Sequence, residues 1–334
     1  MARDVTSVGS SLLSQLKRIA AWHGRPTVRR ASAIRRAAVF GLAVACLAGS
    51  FTAAQPQDLQ PNSQVDIAYV PPNNPAYQGV YERVKARKPL EELQLFLAPL
   101  RLPQKLVLET AECGATKIPY DGGPVKICYE YLDQIEKLAP PDISADGVTR
   151  ANAITGAFVQ VALHQVAEGL FDMLQVPIWG REEDAADKIA GLMMMQFGKD
   201  VALRTLTGTT YFFEASNHTW TGVDFSDPES TEDQRFYNYL CIAYGGDRAT
   251  FGYVVANNTL PKSRADGCSH EYQELIYAFN TTIMPFVDQA LLAKVRSIEW
   301  LKPDDGSSVP LAQPTPTTAK DAATAKDAVN GTQH

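Results

Sequence analysis

His164-Gln165-Val166-Ala167-Glu168, followed past Val176-Pro177 by Gly180-Arg181-Glu182-Glu183-Asp184-Ala185-Ala186-Asp187, is the stretch on which the reading of this chain turns. The first segment lies within residues 149–174, where Ile154, Phe158, Val161, Leu163, Val166, Leu170, Phe171 and Leu174 are apolar on nearly every helical face. A helix of that kind is buried in the middle of a domain. His164 and Glu168 stand four apart, so their side chains share one face of it. That spacing suits two ligands of one metal ion. A second helix opening near Arg181, after the Pro177 turn, is placed to bring a carboxylate as the third. Taken without wider context, Gln160, His164, Glu168 and Asp172 form an i, i+4 polar ladder of the kind usually solvated or hydrogen-bonded. The acidic run after Gly180 likewise suits a helix start, where the dipole favours negative charge.

On the N-terminal side, residues 64–70 alternate as a strand and stop at Pro71-Pro72. Residues 77–97 have a helical pattern in which Pro89 opens a second segment. Residues 105–110 and 125–129 read as two strands, with Tyr120-Asp121-Gly122-Gly123 supplying turn residues between them. One helix is expected from about 181 to 206, with Met193, Met194 and Met195 as core packing. Further helices are expected over 236–243 and 271–292, with a loop over 260–266.

The ends have a different composition. Arg29, Arg30, Arg35 and Arg36 precede an apolar run over 37–48, and small residues lead to Gln55-Pro56. This order describes a signal peptide over 1–54, with an uncleaved N-terminal anchor as the alternative. The protein is then exported, periplasmic or extracellular, and touches a membrane only through that segment. Residues 55–63 read as a linker, 64–302 as one domain, and 303–334, rich in Pro, Thr, Ala, Lys and Asp, as a disordered tail. The net charge is -6 over 334 residues, and the basic cluster belongs to the export segment, so nucleic-acid binding is not expected. Beyond the signal stand Cys113, Cys128, Cys241 and Cys268. An even number in an oxidising compartment suggests two disulfides. Sequence order favours Cys113–Cys128 and Cys241–Cys268 among three connectivities; four buried free thiols are the alternative.

The central stretch has the layout of a zincin. There H-E-x-x-H gives two His ligands and a Glu that takes a proton from water. Here the frame reads H-Q-V-A-E. The span 65–292 also resembles a family of exported bacterial metallopeptidases patterned H-E-x-x-H, F-D-x-L near a Pro, then G-R-E-E-D-A-x-D. The chain matches with Phe171-Asp172-Met173-Leu174, Pro177 and the Gly180 to Asp187 run. It matches again at Gln234-Arg235-Phe236-Tyr237-Asn238 with Cys241, and at Cys268 with Glu271-Tyr272.

The resemblance implies an α+β, zincin-like fold with a buried active-site helix and a small antiparallel sheet. It implies zinc, or another divalent metal, held by His164, Glu168 and Glu183. Asp187 would orient a ligand, and Arg181 would offset part of the negative charge. The departures bear directly on activity. Gln165 occupies the general-base position, and an amide accepts no proton at neutral pH; losing a positioned base costs roughly 10²–10⁴-fold in rate. Glu168 replaces the second His, and Asp227-Pro228-Glu229-Ser230 lacks a further one. Two functions follow as expectations. One is impaired peptide hydrolysis with Glu182 or Glu168 as improvised base. The other is an inactive pseudopeptidase that binds a peptide or envelope protein.

Overall fold

The computed structural model describes residues 64–116, 118–217 and 226–301. The signal peptide, linker and tail expected over 1–54, 55–63 and 303–334 lie outside the described residues. Strands β1 (Val65–Tyr69), β2 (Leu106–Ala111) and β3 (Val125–Cys128) form one sheet in that order, and both pairings are parallel. This corrects the antiparallel sheet expected from the sequence. The turn at Tyr120 to Gly123 closes no hairpin. Residues 112–124 instead carry the chain back so that Val125 pairs with Leu108, and a parallel pair needs such a connection of about a dozen residues. The β1–β2 crossover holds α1 (Gln78–Arg87) and α2 (Pro89–Phe96). They break at Lys88, which sits in the left-handed region at φ 53°, and Pro89 opens α2 as read from the sequence.

Strand alternation places Val65, Leu106, Leu108, Val125 and Ile127 on a fully buried face. That face rests on α4 (Arg150–Met173), whose Gly169 Cα comes so close that a Cβ there would meet Val125 Cγ2 at 3.3 Å and Leu106 Cδ1 at 3.4 Å. Before α4 comes α3 (Tyr129–Leu138), a helix not anticipated from the sequence although Tyr129, Leu132 and Ile135 bury one helical face. Thr149 caps α4 by accepting the Asn152 amide N–H, and the helix is buried without interruption from Gly156 to Phe171, as its apolar pattern demands.

The helix expected over 181–206 is two. Helix α5 (Glu182–Met194) ends in a 3-10 turn, Met195–Phe197, and α6 (Lys199–Asn217) starts after Gly198, whose φ of 93° no ordinary side chain adopts comfortably. Helix α6 crosses α4 where one glycine of each helix, Gly208 and Gly156, lies against the other's backbone. A Cβ on Gly208 would lie 2.0 Å from Asn152 O, and one on Gly156 2.3 Å from Thr205 O. Helix α7 (Glu232–Gly246) carries a capping box between Thr231 and Gln234 and is longer than the expected 236–243. Helix α8 (Lys262–Thr282) opens inside the expected loop at 260–266, where a polar first turn and Gly267 hide the helical period; Pro285 separates it from α9 (Gln289–Val295). Helix α4 packs on α5 and α6, α6 on α7, and α7 on α8.

The fold is thus mixed and mainly helical with one small sheet, compatible with α+β. Disulfides join Cys113 to Cys128 and Cys241 to Cys268, the pairing that sequence order favoured. Such bonds fit an oxidising compartment. Among the described residues, no helix is long and apolar enough to cross a membrane.

Candidate functional site

Packing of α4 against α5 sets one face of each helix opposite the other. His164 and Glu168, one turn apart on α4, meet Glu183 and Asp187, one turn apart on α5. Glu168 Oε1 lies 2.9 Å and Glu183 Oε2 3.0 Å from His164 Nε2, while Asp187 Oδ1 lies 2.8 Å from Nδ1. One ligand-capable atom from each of His164, Glu168 and Glu183 falls within 4.8 Å of the others. His164 and Glu168 are 4% and 3% exposed, so neither belongs to a solvated stripe. Asp172, the last rung of the ladder, stands apart from the cluster at the end of α4.

The hydrogen-bond accounting at Nε2 does not close. One ring nitrogen carries at most one hydrogen, and two carboxylates crowd it. The His164–Glu183 contact has hydrogen-bond geometry, whereas Glu168 Oε1 is buried with no hydrogen-bond partner among the described residues. The other oxygen of Glu168 accepts the backbone N–H of Tyr120 at 3.0 Å, which fixes the carboxylate in place.

Electrostatics follow from this crowding. Burial alone would lower the His164 pKa, but the hydrogen bonds to Asp187 and Glu183 and the Glu168 carboxylate close beside Nε2 outweigh it and hold the imidazole well above its ordinary value. Burial would raise Asp187; the Arg235 and His164 charges and hydrogen bonds hold it far below the usual carboxylate range instead. Glu182 is pushed up, first by partial burial and then by the charges of Glu168, Glu183 and Asp172.

A second layer of side chains surrounds Asp187. Arg235 on α7 donates from Nε to Oδ2 at 2.7 Å and from Nη2 to Oδ1 at 2.9 Å. Gln160 Nε2 reaches Oδ1 at 3.0 Å and the Tyr239 hydroxyl at 3.1 Å, and that hydroxyl donates to Oδ1 at 3.3 Å. The sequence assigned no role to Arg235, Gln160 or Tyr239. Signals for them existed: Gln160 is one turn from His164, and Arg235 and Tyr239 are one turn apart starting in the Gln234 to Asn238 block.

Gln165, in the general-base position, is buried and lines a cavity of about 10 Å³ together with Gln160, His164, Tyr131 and Arg235. Its side chain makes no hydrogen bond to another described residue. Glu182 is exposed at the start of α5. Arg181 is also exposed, and its Nη1 donates to the Glu229 carbonyl at 3.2 Å, not to an acid of its own run.

No curated protein and no solved structure matches the chain. A family model does, over residues 69–283, which takes in every residue of the cluster just described. That match covers more than half of the chain, and the protein belongs to the family described as "Putative metallopeptidase".

Proposed function

We propose that this chain is a metallopeptidase-like protein that binds a divalent metal ion, zinc on the family's plan, through His164, Glu168 and Glu183, with peptide hydrolysis impaired. The family suggests a divalent metal, and the described residues contain a matching ligand group. One observation carries the reading. Glu168 Oε1 is buried, aimed at the same nitrogen as Glu183 Oε2, and has no hydrogen-bond partner among the described residues. A buried carboxylate oxygen left that way is costly, and a shared cation satisfies it along with its two neighbours. Imidazole and carboxylate are both zinc ligands, so the residues fit the group. Two carboxylates to one imidazole also make the site harder than a His-rich one and more hospitable to other divalent ions.

When bound, the ion supplies Lewis-acid polarisation of a peptide carbonyl. The chain's own residues do the rest. Asp187 orients His164 through Nδ1, as a ligand's hydrogen-bond partner does in metal sites. Tyr120 N–H holds the second oxygen of Glu168. Gln165 can hydrogen-bond to a substrate but cannot take its proton, so the general-base contribution, about 10²–10⁴-fold, is missing at that position. Glu182, next to Glu183 at the exposed start of α5, is the carboxylate proposed to stand in.

A second reading is a pseudopeptidase that holds a peptide or an envelope protein without cutting it. The space lined by Gln165 favours it: about 10 Å³ is room for roughly one water, not for a peptide. Metal content of the purified protein, measured by mass spectrometry beside His164→Ala, tests the first reading. Near-stoichiometric metal that is lost in the variant supports it, and a peptide-library screen then separates hydrolysis from binding. A folded wild type without metal overturns it.

A further inference from the structure

Arg235 is 2% exposed, a rare position for a cation, and three of its surroundings hold it rigidly. Its Nε and Nη2 form a two-pronged contact with both oxygens of Asp187. Its Nη1 donates to Glu229 Oε2 at 3.0 Å. The guanidinium carbon lies 4.4 Å from the centre of the Phe213 ring. Asp187 in turn has several donors at Oδ1, namely Gln160, Tyr239 and Arg235, besides the His164 ring. At Oδ2, among the described residues, it has Arg235 alone.

This asymmetry matters because a carboxylate's terminal torsion is soft and broadly populated. Donors that all converge on Oδ1 fix the position of one atom and leave the plane free to turn about it. A planar fork that grips both oxygens fixes the plane as well, which is the geometry arginine provides and lysine does not. The plane of Asp187 decides where the lone pair toward His164 Nδ1 points, and hence how the imidazole is turned. The ring's opposite edge carries Nε2, which faces Glu168 Oε1 and Glu183 Oε2.

We infer that Arg235 is a positioning residue of the metal centre: by clamping the plane of Asp187 from α7, it sets the orientation of the His164 ring on α4. This rests on the reading of His164, Glu168 and Glu183 as metal ligands. It makes the centre a three-helix construction: ligands on α4 and α5, alignment from α7. Glu229, just before α7, extends the same chain of contacts by holding the third nitrogen of the guanidinium.

The test is Arg235→Lys, which keeps the charge and removes the fork, studied in the full chain. Zinc affinity is read by competition with a chelating dye, cobalt(II) substitution reports ligand geometry by its visible absorption, and circular dichroism with thermal melting reports folding. The expected result is a folded variant that binds zinc about 10- to 100-fold more weakly, as outer hydrogen-bond partners of metal ligands do when altered, with a changed cobalt spectrum. Glu229→Gln, a change at a partly exposed position, loosens the clamp without touching Asp187 and should shift affinity less, in the same direction. It carries the test should Arg235→Lys not fold. If variants melt earlier but keep wild-type zinc affinity and the wild-type cobalt spectrum, Arg235 is a structural ion-pair partner only and the inference is overturned. A wild type that takes up neither metal overturns the ligand reading instead, and this inference with it.

Discussion

Asp187 Oδ1 sits 2.8 Å from His164 Nδ1, on the edge of the imidazole opposite the one that Glu168 and Glu183 face. A histidine's free nitrogen is defined by what its other nitrogen donates to, so this contact commits Nδ1 to α5 and leaves Nε2 for the cluster. Asp187→Asn keeps the shape and weakens the acceptor. Metal affinity is expected to fall about 10- to 100-fold, read by competition with a chelating dye. Affinity equal to the wild type would remove Asp187 from the orienting role.

Metal should stabilise the fold measurably, because the proposed ligands come from two helices and meet only when α4 and α5 are packed. A ligand that binds only the folded state adds about 2.7 kcal/mol at a hundredfold excess over its Kd. The thermal midpoint should therefore rise on adding zinc and fall with a chelator in the wild type, and neither change should occur in His164→Ala. A rise of equal size in the variant would place the ion elsewhere.

The clustering of the four central side chains is largely legible in the sequence, because it rests on local spacing. An i, i+4 pair on an all-apolar helix places His164 and Glu168 on one buried face, and Glu183 and Asp187 repeat the spacing on the next helix. Arg235 is not legible as a partner. Nothing local says that a residue some fifty positions onward will fold its guanidinium onto Asp187; only the packing of α7 against α5 and α6 brings it there. The direction of the strands is hidden for a related reason. Strand patterns at 105–110 and 125–129 fix the existence of β2 and β3, but direction depends on the path of residues 112–124, whose turn residues fit a hairpin or a return equally well. The break between α5 and α6 is masked because Gly198 looks like a tolerated helical glycine until its φ of 93° is known.

Helix α6 is predicted to tolerate no side chain at position 208, where it crosses α4. A Cβ at Gly208 would stand 2.0 Å from Asn152 O, a backbone atom that cannot step aside without moving its helix. Overpacking of this kind costs about 1–3 kcal/mol and sometimes more. Gly208→Ala should lower the urea midpoint accordingly. An unchanged midpoint would mean that the two backbones do not approach this closely.

The Cys113–Cys128 bond ties the connection after β2 to the last residue of β3, next to the Tyr120 segment that holds Glu168. Removing a crosslink across about 15 residues costs roughly 3 kcal/mol in the chain-entropy account. Cys113→Ser with Cys128→Ser should therefore lose about that much stability, measured by denaturant titration. The same variant should bind zinc more weakly than its loss of folded fraction explains, since the backbone N–H of Tyr120 is then less well placed. A loss confined to stability would uncouple this loop from the cluster.

Restoring the family's frame is the sharpest test of what the altered residues have done, and the structure sets the order of the changes. Gln165→Glu comes first. Gln165 makes no hydrogen bond to another described residue, so a carboxylate there sacrifices none of those and gives back a group able to accept a proton. It also adds a negative charge near Glu168 and Glu183, which is tolerable only if a cation is present, so the variant should depend on metal for stability more than the wild type does. Glu168→His comes second and is not free. It removes the oxygen that accepts the Tyr120 N–H, a partly buried donor, and a donor left without its partner costs at most about 1–3 kcal/mol. The double variant should therefore melt earlier without metal and regain stability with zinc. If the plan of the site is as proposed, peptide hydrolysis in the double variant should exceed that of the wild type by about 10²–10⁴-fold, the contribution of a positioned base. A double variant that binds zinc yet hydrolyses nothing would locate the defect in access rather than chemistry, in keeping with the small cavity beside Gln165 and with a protein that holds its partner uncut. A double variant that gains neither zinc nor hydrolysis would mean that α4 and α5 do not form the metal site.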